Sequence, residues 1–367
     1  MKLLILANPD NPHTIKWVKS LSKEGFQIFL FGLNEFDETI YEGYDRVRVE
    51  SVGLNKKFTG TRLGDFSKIS YIRFLPEVRK IIRSFQPDIL HAHYASSYGI
   101  LGALAGFKPF LVSVWGSDVY KFPKISIFHR LLLKLSFRKA DYILSTSEVM
   151  KSEIQKYTQK EIEVTPFGID VGIFNSTTAS KNGETVIGTV KNLRELYGID
   201  VLIKAFDLVV KKNNNRDLKL LIIGEGQERQ RLNKLVNTLG LGKRVEFAGK
   251  IKPEKIPRYL NKMDIFAALS IGDESFGVSV LEAASCEIPV VVSNAPGFKE
   301  IVEHEISGLI VPRNSIQEAA KAMERLIEDK ELGKNMGKNG RKMVLDKYDL
   351  KKNVETMKDI YQRVITQ

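Results

Sequence analysis

The strongest constraint on the fold of this chain is a rhythm. Short apolar runs rich in Val, Ile, Leu and Phe recur along its length, separated by longer amphipathic stretches. Runs of that kind fit strands covered on both faces, and the intervening helices supply the cover, so the pattern specifies α/β layers with parallel sheets. In the first half, strands are expected at Leu3–Ala7, Gln27–Phe31, Arg46–Val49, Ile89–Ala92, Phe110–Val114 and Tyr142–Thr146. Helices fill the gaps, among them His13–Glu24, Lys68–Phe85 and Ile125–Lys139. The second half begins a similar series, with strands at Thr185–Val190, Lys219–Ile223, Val245–Phe247, Ile265–Ala268, Val290–Ser293 and Leu309–Val311. Between the halves, Gly172 to Gly183 has the Asn, Ser, Thr and Lys content of a linker.

A chain of 367 residues has room for two cores, and 43% apolar with 27% charged residues is ordinary for a globular protein. The expected architecture is two doubly wound, Rossmann-like α/β domains facing each other across a cleft. The first spans 1–170 and the second 171–345, with a terminal helix over 346–367 crossing back to the first. No apolar run reaches the roughly 18 residues of a membrane span. The N-terminus enters a strand directly, without the features of a signal peptide, and Cys286 is the only cysteine, so no disulfide can form within the chain. A cytoplasmic location is expected. The net charge of +12 calls for an acidic partner. No nucleic-acid-binding signature accompanies it, which leaves anionic lipid or a phosphorylated substrate.

The segment richest in chemistry is Glu274-Ser275-Phe276-Gly277, followed by Glu282 in the helix behind it and by the loop Ser293 to Gly297. Gly277 permits close backbone approach, and the helix start offers N–H groups suited to a phosphate. Glycosidase carboxyl groups stand about 5–5.5 Å apart in retaining enzymes and roughly 6.5–9.5 Å in inverting ones. Eight positions, most of them helical, separate Glu274 from Glu282 by more than that. The two suit hydroxyl-binding points on one elongated ligand better than an acid/base pair.

Glu274-Ser-Phe-Gly-Val-Ser-Val-Leu-Glu282 resembles the Glu-x7-Glu motif of family 4 retaining glycosyltransferases, which have the GT-B fold. Pro166-Phe167-Gly168-Ile169-Asp170, Gly224-Glu225-Gly226, Val245-Glu246-Phe247-Ala248-Gly249, Glu300-Ile301-Val302 and Gly308-Leu309 resemble further segments of that family, in its order. The resemblance implies that Glu282 binds the ribose of a nucleotide-sugar (UDP- or GDP-linked) and that Glu274 contacts the donated sugar. Backbone N–H groups of Phe276, Gly277 and Val278 would hold sugar and distal phosphate, Gly224 would form the glycine turn, and the base would lie near Gly249, Lys250 and Ile251. Phosphate charge grows as the glycosidic oxygen leaves, so cations are needed. Lys191 stands where the family has an Arg, but Tyr197 stands where it has a Lys; Arg194 is expected to supply the second charge. No Asp-x-Asp occurs, and no metal or other cofactor is expected.

In the first domain, Ser113-Val-Trp115-Gly116-Ser117-Asp118 resembles the family's His-Gly-x-Asp segment, with Trp115 in place of the His. Asp118 and His93 are expected to orient the acceptor, with a helix cap as the plainer role for Asp118. His13, in the loop after the first strand, and Trp115 join them on the acceptor side. His91 and His93 are read as facing opposite sides of their strand, His93 toward the crevice and His91 into the core. Two basic, apolar stretches, 56–83 and 120–139, have the pairing of helices that lie on anionic membrane; packing of the apolar stripe on a sheet is the alternative.

These expectations converge on a retaining transferase that moves a sugar to a hydroxyl of a glycan or lipid-linked acceptor. The setting would be surface polysaccharide synthesis, at the inner face of the cytoplasmic membrane. A nucleotide-sugar epimerase of related fold and a non-catalytic sugar-binding scaffold are the alternatives.

Overall fold

A computed structural model describes residues 1–54, 71–177, 183–213 and 217–366. The chain divides into two compact units, Met1–Phe167 with Asn353–Gln367, and Gly168–Lys352. Sequence features at Lys56, Arg62 and Lys68, the start of the expected helix at 68, and part of the expected linker (178–182) lie outside the described residues.

The first unit is built on a seven-stranded parallel sheet. Its strands are β1 (Lys2–Leu6), β2 (Gln27–Asn34), β3 (Val47–Leu54), β4 (Ile89–His93), β5 (Phe110–Val114), β6 (Tyr142–Ser145) and β7 (Ile162–Val164). They lie in the order β3-β2-β1-β4-β5-β6-β7, so the direction of winding reverses between β1 and β4. The central strands are apolar on both faces because helices cover both: Leu3 to Leu6 and Phe110 to Val112 are at most 1% exposed. Strand β7 escaped the sequence reading because three residues with a charged centre carry no apolar run.

The last helix, Leu350–Thr366, contributes to this unit from the far end of the chain. Its Tyr361 is fully buried, and the phenol oxygen lies 2.7 Å from His91 Nδ1 on β4. Val354, Met357, Ile360 and Val364 complete the buried face, at the spacing of an amphipathic helix.

The second unit carries β8 (Thr185–Val190), β9 (Leu218–Ile223), β10 (Val245–Gly249), β11 (Ile265–Ala268), β12 (Val290–Ser293) and β13 (Gly308–Val311). All pair in parallel in the order β10-β9-β8-β11-β12-β13, with the reversal between β8 and β11. Between the strands, helix Ile199–Lys212 buries Val201, Leu202, Ala205, Phe206 and Val209. The stretch after Gly172 is not a free linker where it is described. Phe174 is buried and its carbonyl accepts from Ser285 Oγ at 2.6 Å, while Asn261 bonds both Asn175 and Thr177. The bonds that fix it come from side chains elsewhere in the unit to its backbone.

Candidate active site

In an open parallel sheet, loops diverge at the carboxyl ends of the strands flanking the reversal of winding, leaving a crevice. In the second unit that point lies between β8 and β11. Lys191 follows β8 directly, and Glu274 lies in the loop leaving β11. Their side chains meet: Nζ stands 2.8 Å from Oε1, with the two side chains 18% and 10% exposed. Ser270 Oγ donates to the same carboxylate oxygen at 2.6 Å. The ammonium lies over the Tyr197 ring, 4.5 Å from its centroid, and 6.0 Å from that of Phe298. An attraction to the face of a ring adds to the ion pair where water is scarce.

Helix Val278–Ser285 begins beside this cluster. Its cap, Gly277, has φ +116°, a conformation that penalises a side chain, and a Cβ there would come within 2.7 Å of Ile301 Cδ1 and 2.9 Å of Phe298. Phe298 therefore packs beside the Gly277 turn on the side toward the Lys191 ammonium. The Val278 and Ser279 N–H groups precede the first bond of the helix, which Val280 N–H makes to the Gly277 carbonyl at 3.0 Å, and the helix dipole places partial positive charge there. Phe276 is 2% exposed and packs edge-on against Tyr348, so its side chain anchors the loop and only its backbone can serve a ligand. Val278 and Glu282 are half-buried.

On the other side of β8, Gly224 has φ +140°, and a Cβ would fall onto the Lys191 carbonyl. The loops after β8 and β9 thus lie in direct contact. Gly224 N–H bonds the Gly249 carbonyl at 2.8 Å, bringing the end of β10 alongside, with Lys250 exposed and Ile251 half-buried. Sequence reasoning missed Arg229 here. Its guanidinium stacks 4.5 Å from the Phe247 ring centroid and bonds Glu225 at 2.9 Å, while Nε is buried without a partner. The one sequence signal was an Arg shortly after Gly-Glu-Gly. Arg194 is exposed, directly before the short turn Glu195–Tyr197, and shares none of the contacts of Lys191.

The reversal between β1 and β4 organises the first unit. His13 enters helix Pro12–Lys23 behind Asn11, whose side chain caps the helix through the His13 N–H at 2.8 Å. Its ring stacks on Phe167 at 3.7 Å and meets Trp115 edge-on at 5.9 Å; Trp115 in turn lies 4.7 Å from His93. His13 Nδ1 and His93 Nδ1 are buried without hydrogen-bond partners. Burial, reinforced by Lys16, lowers the His13 pKa to about 3; burial and the other two imidazoles hold His93 well below the usual histidine range. Both rings are neutral at physiological pH.

Two expectations are corrected here. His91 and His93 share one face of β4, their rings 4.7 Å apart, because residues two apart in a strand point the same way. His91 is nevertheless a core residue, bonded by Tyr361 and by Ser113 Oγ at 2.8 Å. Asp118 does not face an acceptor. It is fully buried and accepts N–H bonds from Ala95 at 2.9 Å, Gly116 at 2.7 Å and Trp115 at 3.3 Å. Burial pushes its carboxyl up while these bonds pull the other way. Its work is to hold the loops after β4 and β5 together, which fixes Trp115 and His93.

Helix Ile127–Lys139 divides the apolar residues of the basic stretch between a buried and an exposed set. His129, Leu133, Ser136 and Phe137 face inward, whereas Ile127, Phe128 and Leu131 are 61%, 62% and 55% exposed. Lys121, Lys124, Arg130 and Lys134 of the same stretch are exposed as well. Among the described residues, no helix is long and apolar enough to cross a membrane.

Residues 173–343 match the family model described as glycosyl transferases group 1, and residues 2–147 match the glycosyl transferase 4-like model. An uncharacterised glycosyltransferase of Methanocaldococcus jannaschii is 26% identical over 96% of this chain and 93% of the relative. N-acetyl-alpha-D-glucosaminyl L-malate synthase of Bacillus anthracis is 25% identical over 87% of each chain. The crystal structure of an Anabaena protein in complex with UDP and glucose superposes with TM-score 0.82, at 19% identity, over 99% of this chain and 100% of that one. The chain belongs to the group 1, family 4-like glycosyltransferases and has their GT-B fold. It is a nucleotide-sugar-dependent glycosyltransferase.

Proposed function

We propose that this enzyme transfers a sugar, with retention of configuration, from a UDP- or GDP-sugar to a hydroxyl of a glycan or lipid-linked acceptor. The cluster at the β8/β11 crevice carries this reading: one ammonium, one carboxylate and the start of a helix within a single loop contact. A diphosphate is served by Lys191 and the first-turn N–H groups, and a sugar hydroxyl by Glu274. Glu282, further along the same helix, serves the ribose, and the base lies by Gly249 to Ile251 with Arg229 stacked nearby. The UDP complex of the Anabaena structure supports uridine as the base.

In the reaction, the bond from the anomeric carbon to the phosphate oxygen breaks and a bond to the acceptor oxygen forms on the same face. The acceptor proton passes to the departing phosphate oxygen, so no side-chain base is required. The growing phosphate charge falls on Lys191 and the helix start. His13 and Trp115 offer the acceptor a neutral, partly aromatic surface, with the buried His93 ring packed against Trp115.

The exposed Ile127, Phe128 and Leu131, with four exposed cations on the same stretch of chain, favour an anionic bilayer as the place where the acceptor is met, at the inner face of the cytoplasmic membrane. Surface polysaccharide synthesis fits such a location. The test is a panel of nucleotide-sugars assayed for binding and slow hydrolysis, with Glu282→Ala and Lys191→Ala alongside. Wild-type turnover in both variants would remove the donor site from this place.

A further inference from the structure

We infer that the Lys191–Glu274 pair makes the donor site select an intact nucleotide-sugar over the nucleoside diphosphate that transfer leaves behind. The inference rests on the donor-site reading above and adds a discrimination that the reading does not contain. Lys191 is committed before any ligand arrives, to Glu274 at 2.8 Å and to the ring of Tyr197. A phosphate that takes the ammonium leaves a carboxylate only 10% exposed, with Ser270 Oγ still donating to the same oxygen. Stranding one partner of a nearly buried pair is costly. It is costlier beside a second anion.

An intact donor offsets this loss, because the sugar brings hydroxyls that donate to the vacated carboxylate. A nucleoside diphosphate has only its ribose hydroxyls, which the donor-site reading gives to Glu282, and so brings none to Glu274. Once the sugar has left, the ammonium returns to Glu274 and the phosphate loses its counter-charge. The same exchange of partners that admits the donor would then expel the product. Tyr197 takes part by position: its ring keeps the ammonium within reach of both anions without adding a second charge that would hold the diphosphate in place.

The experiment is calorimetric binding of UDP with UDP-glucose, and of GDP with GDP-mannose, to wild type, Glu274→Gln, Lys191→Met and Ser270→Ala, each checked for a cooperative melt. Wild type is expected to favour the sugar-bearing member of whichever pair it binds. Glu274→Gln frees the ammonium, so diphosphate affinity rises about tenfold and the preference collapses. Ser270→Ala moves the opposite way, widening the preference, and stays informative if Glu274→Gln does not fold. Lys191→Met lowers affinity for both members. Diphosphate affinity in Glu274→Gln that is unchanged or weaker overturns the inference while leaving the donor site standing. Failure of all four ligands to bind any of the proteins overturns both.

Discussion

The apolar patch on helix Ile127–Lys139 gives the sharpest quantitative expectation. Ile127, Phe128 and Leu131 leave 61%, 62% and 55% of their surface in water. Full burial of such a side chain is worth ~1.5–3 kcal/mol, so moving the exposed part into lipid contributes roughly 1–2 kcal/mol each. Together that is about 3–5 kcal/mol. Lys121, Lys124, Arg130 and Lys134 add around 1 kcal/mol each at an anionic surface, a contribution that salt screens. Replacing all three apolar residues by Ser should therefore weaken partition to vesicles at least about a hundredfold. The fold should be little affected, because exposed substitutions usually change stability by less than about 0.5 kcal/mol. Sedimentation with phosphatidylglycerol-containing vesicles, against pure phosphatidylcholine and at two salt concentrations, measures each part. The triple variant should lose binding at both salts, and wild type should lose much of it at high salt. Unchanged sedimentation of the triple variant would refute the membrane role, and equal binding to both lipids would refute the role of the cations.

Three further outcomes follow from the sites. Gly277→Ala forces a side chain into a left-handed backbone and against Phe298 and Ile301, so it should cost about 1–3 kcal/mol in urea unfolding and abolish transfer; wild-type activity would dissociate this turn from the site. Tyr197→Leu keeps an apolar neighbour but withdraws the ring face from Lys191, and it should raise KM for the donor several-fold with kcat changed less; an unchanged KM would leave Tyr197 without a role in positioning. His13, His91 and His93 all have depressed folded-state pKa values, His13 and His91 at about 3. Unfolding lets them bind protons they exclude when folded, so the stability they contribute is complete above the usual histidine pKa of about 6.5 and falls as pH drops from there toward 3. Urea unfolding at pH 7 and pH 5 should show the decline, and a flat profile would mean the rings are less buried than described.

Much of the fold was legible because parallel strands covered on both faces leave continuous apolar runs, and β1, β5, β11 and β12 do so. Strands with charged residues read less clearly: β3 runs on to Leu54, past the expected end at Val49. The glycine turn at 277 was legible because a glycine between two acids at the start of an apolar helix has few other uses. Side-chain partnerships were not. The contact of Lys191 with Glu274 joins loops from opposite sides of a topological reversal, and no local spacing encodes it. Asp118 looked functional because its backbone partners, Ala95 among them, are invisible in a string of side chains. Assigning His91 and His93 to opposite faces was a misreading of strand geometry, open to correction from the sequence alone.

The terminal helix carries a consequence for how this protein is made. Tyr361 closes the core behind His91, 270 residues upstream, and Val354, Met357, Ile360 and Val364 bury with it. On the ribosome, the first unit is synthesised early but must wait with an uncovered apolar groove until the end of the chain emerges. The second unit, continuous from Gly168 to Lys352, has all its parts before then. Folding order should therefore run against synthesis order. A stop codon just before the final helix would leave the nascent first unit, rather than the second, as the species that chaperones hold and proteases clear.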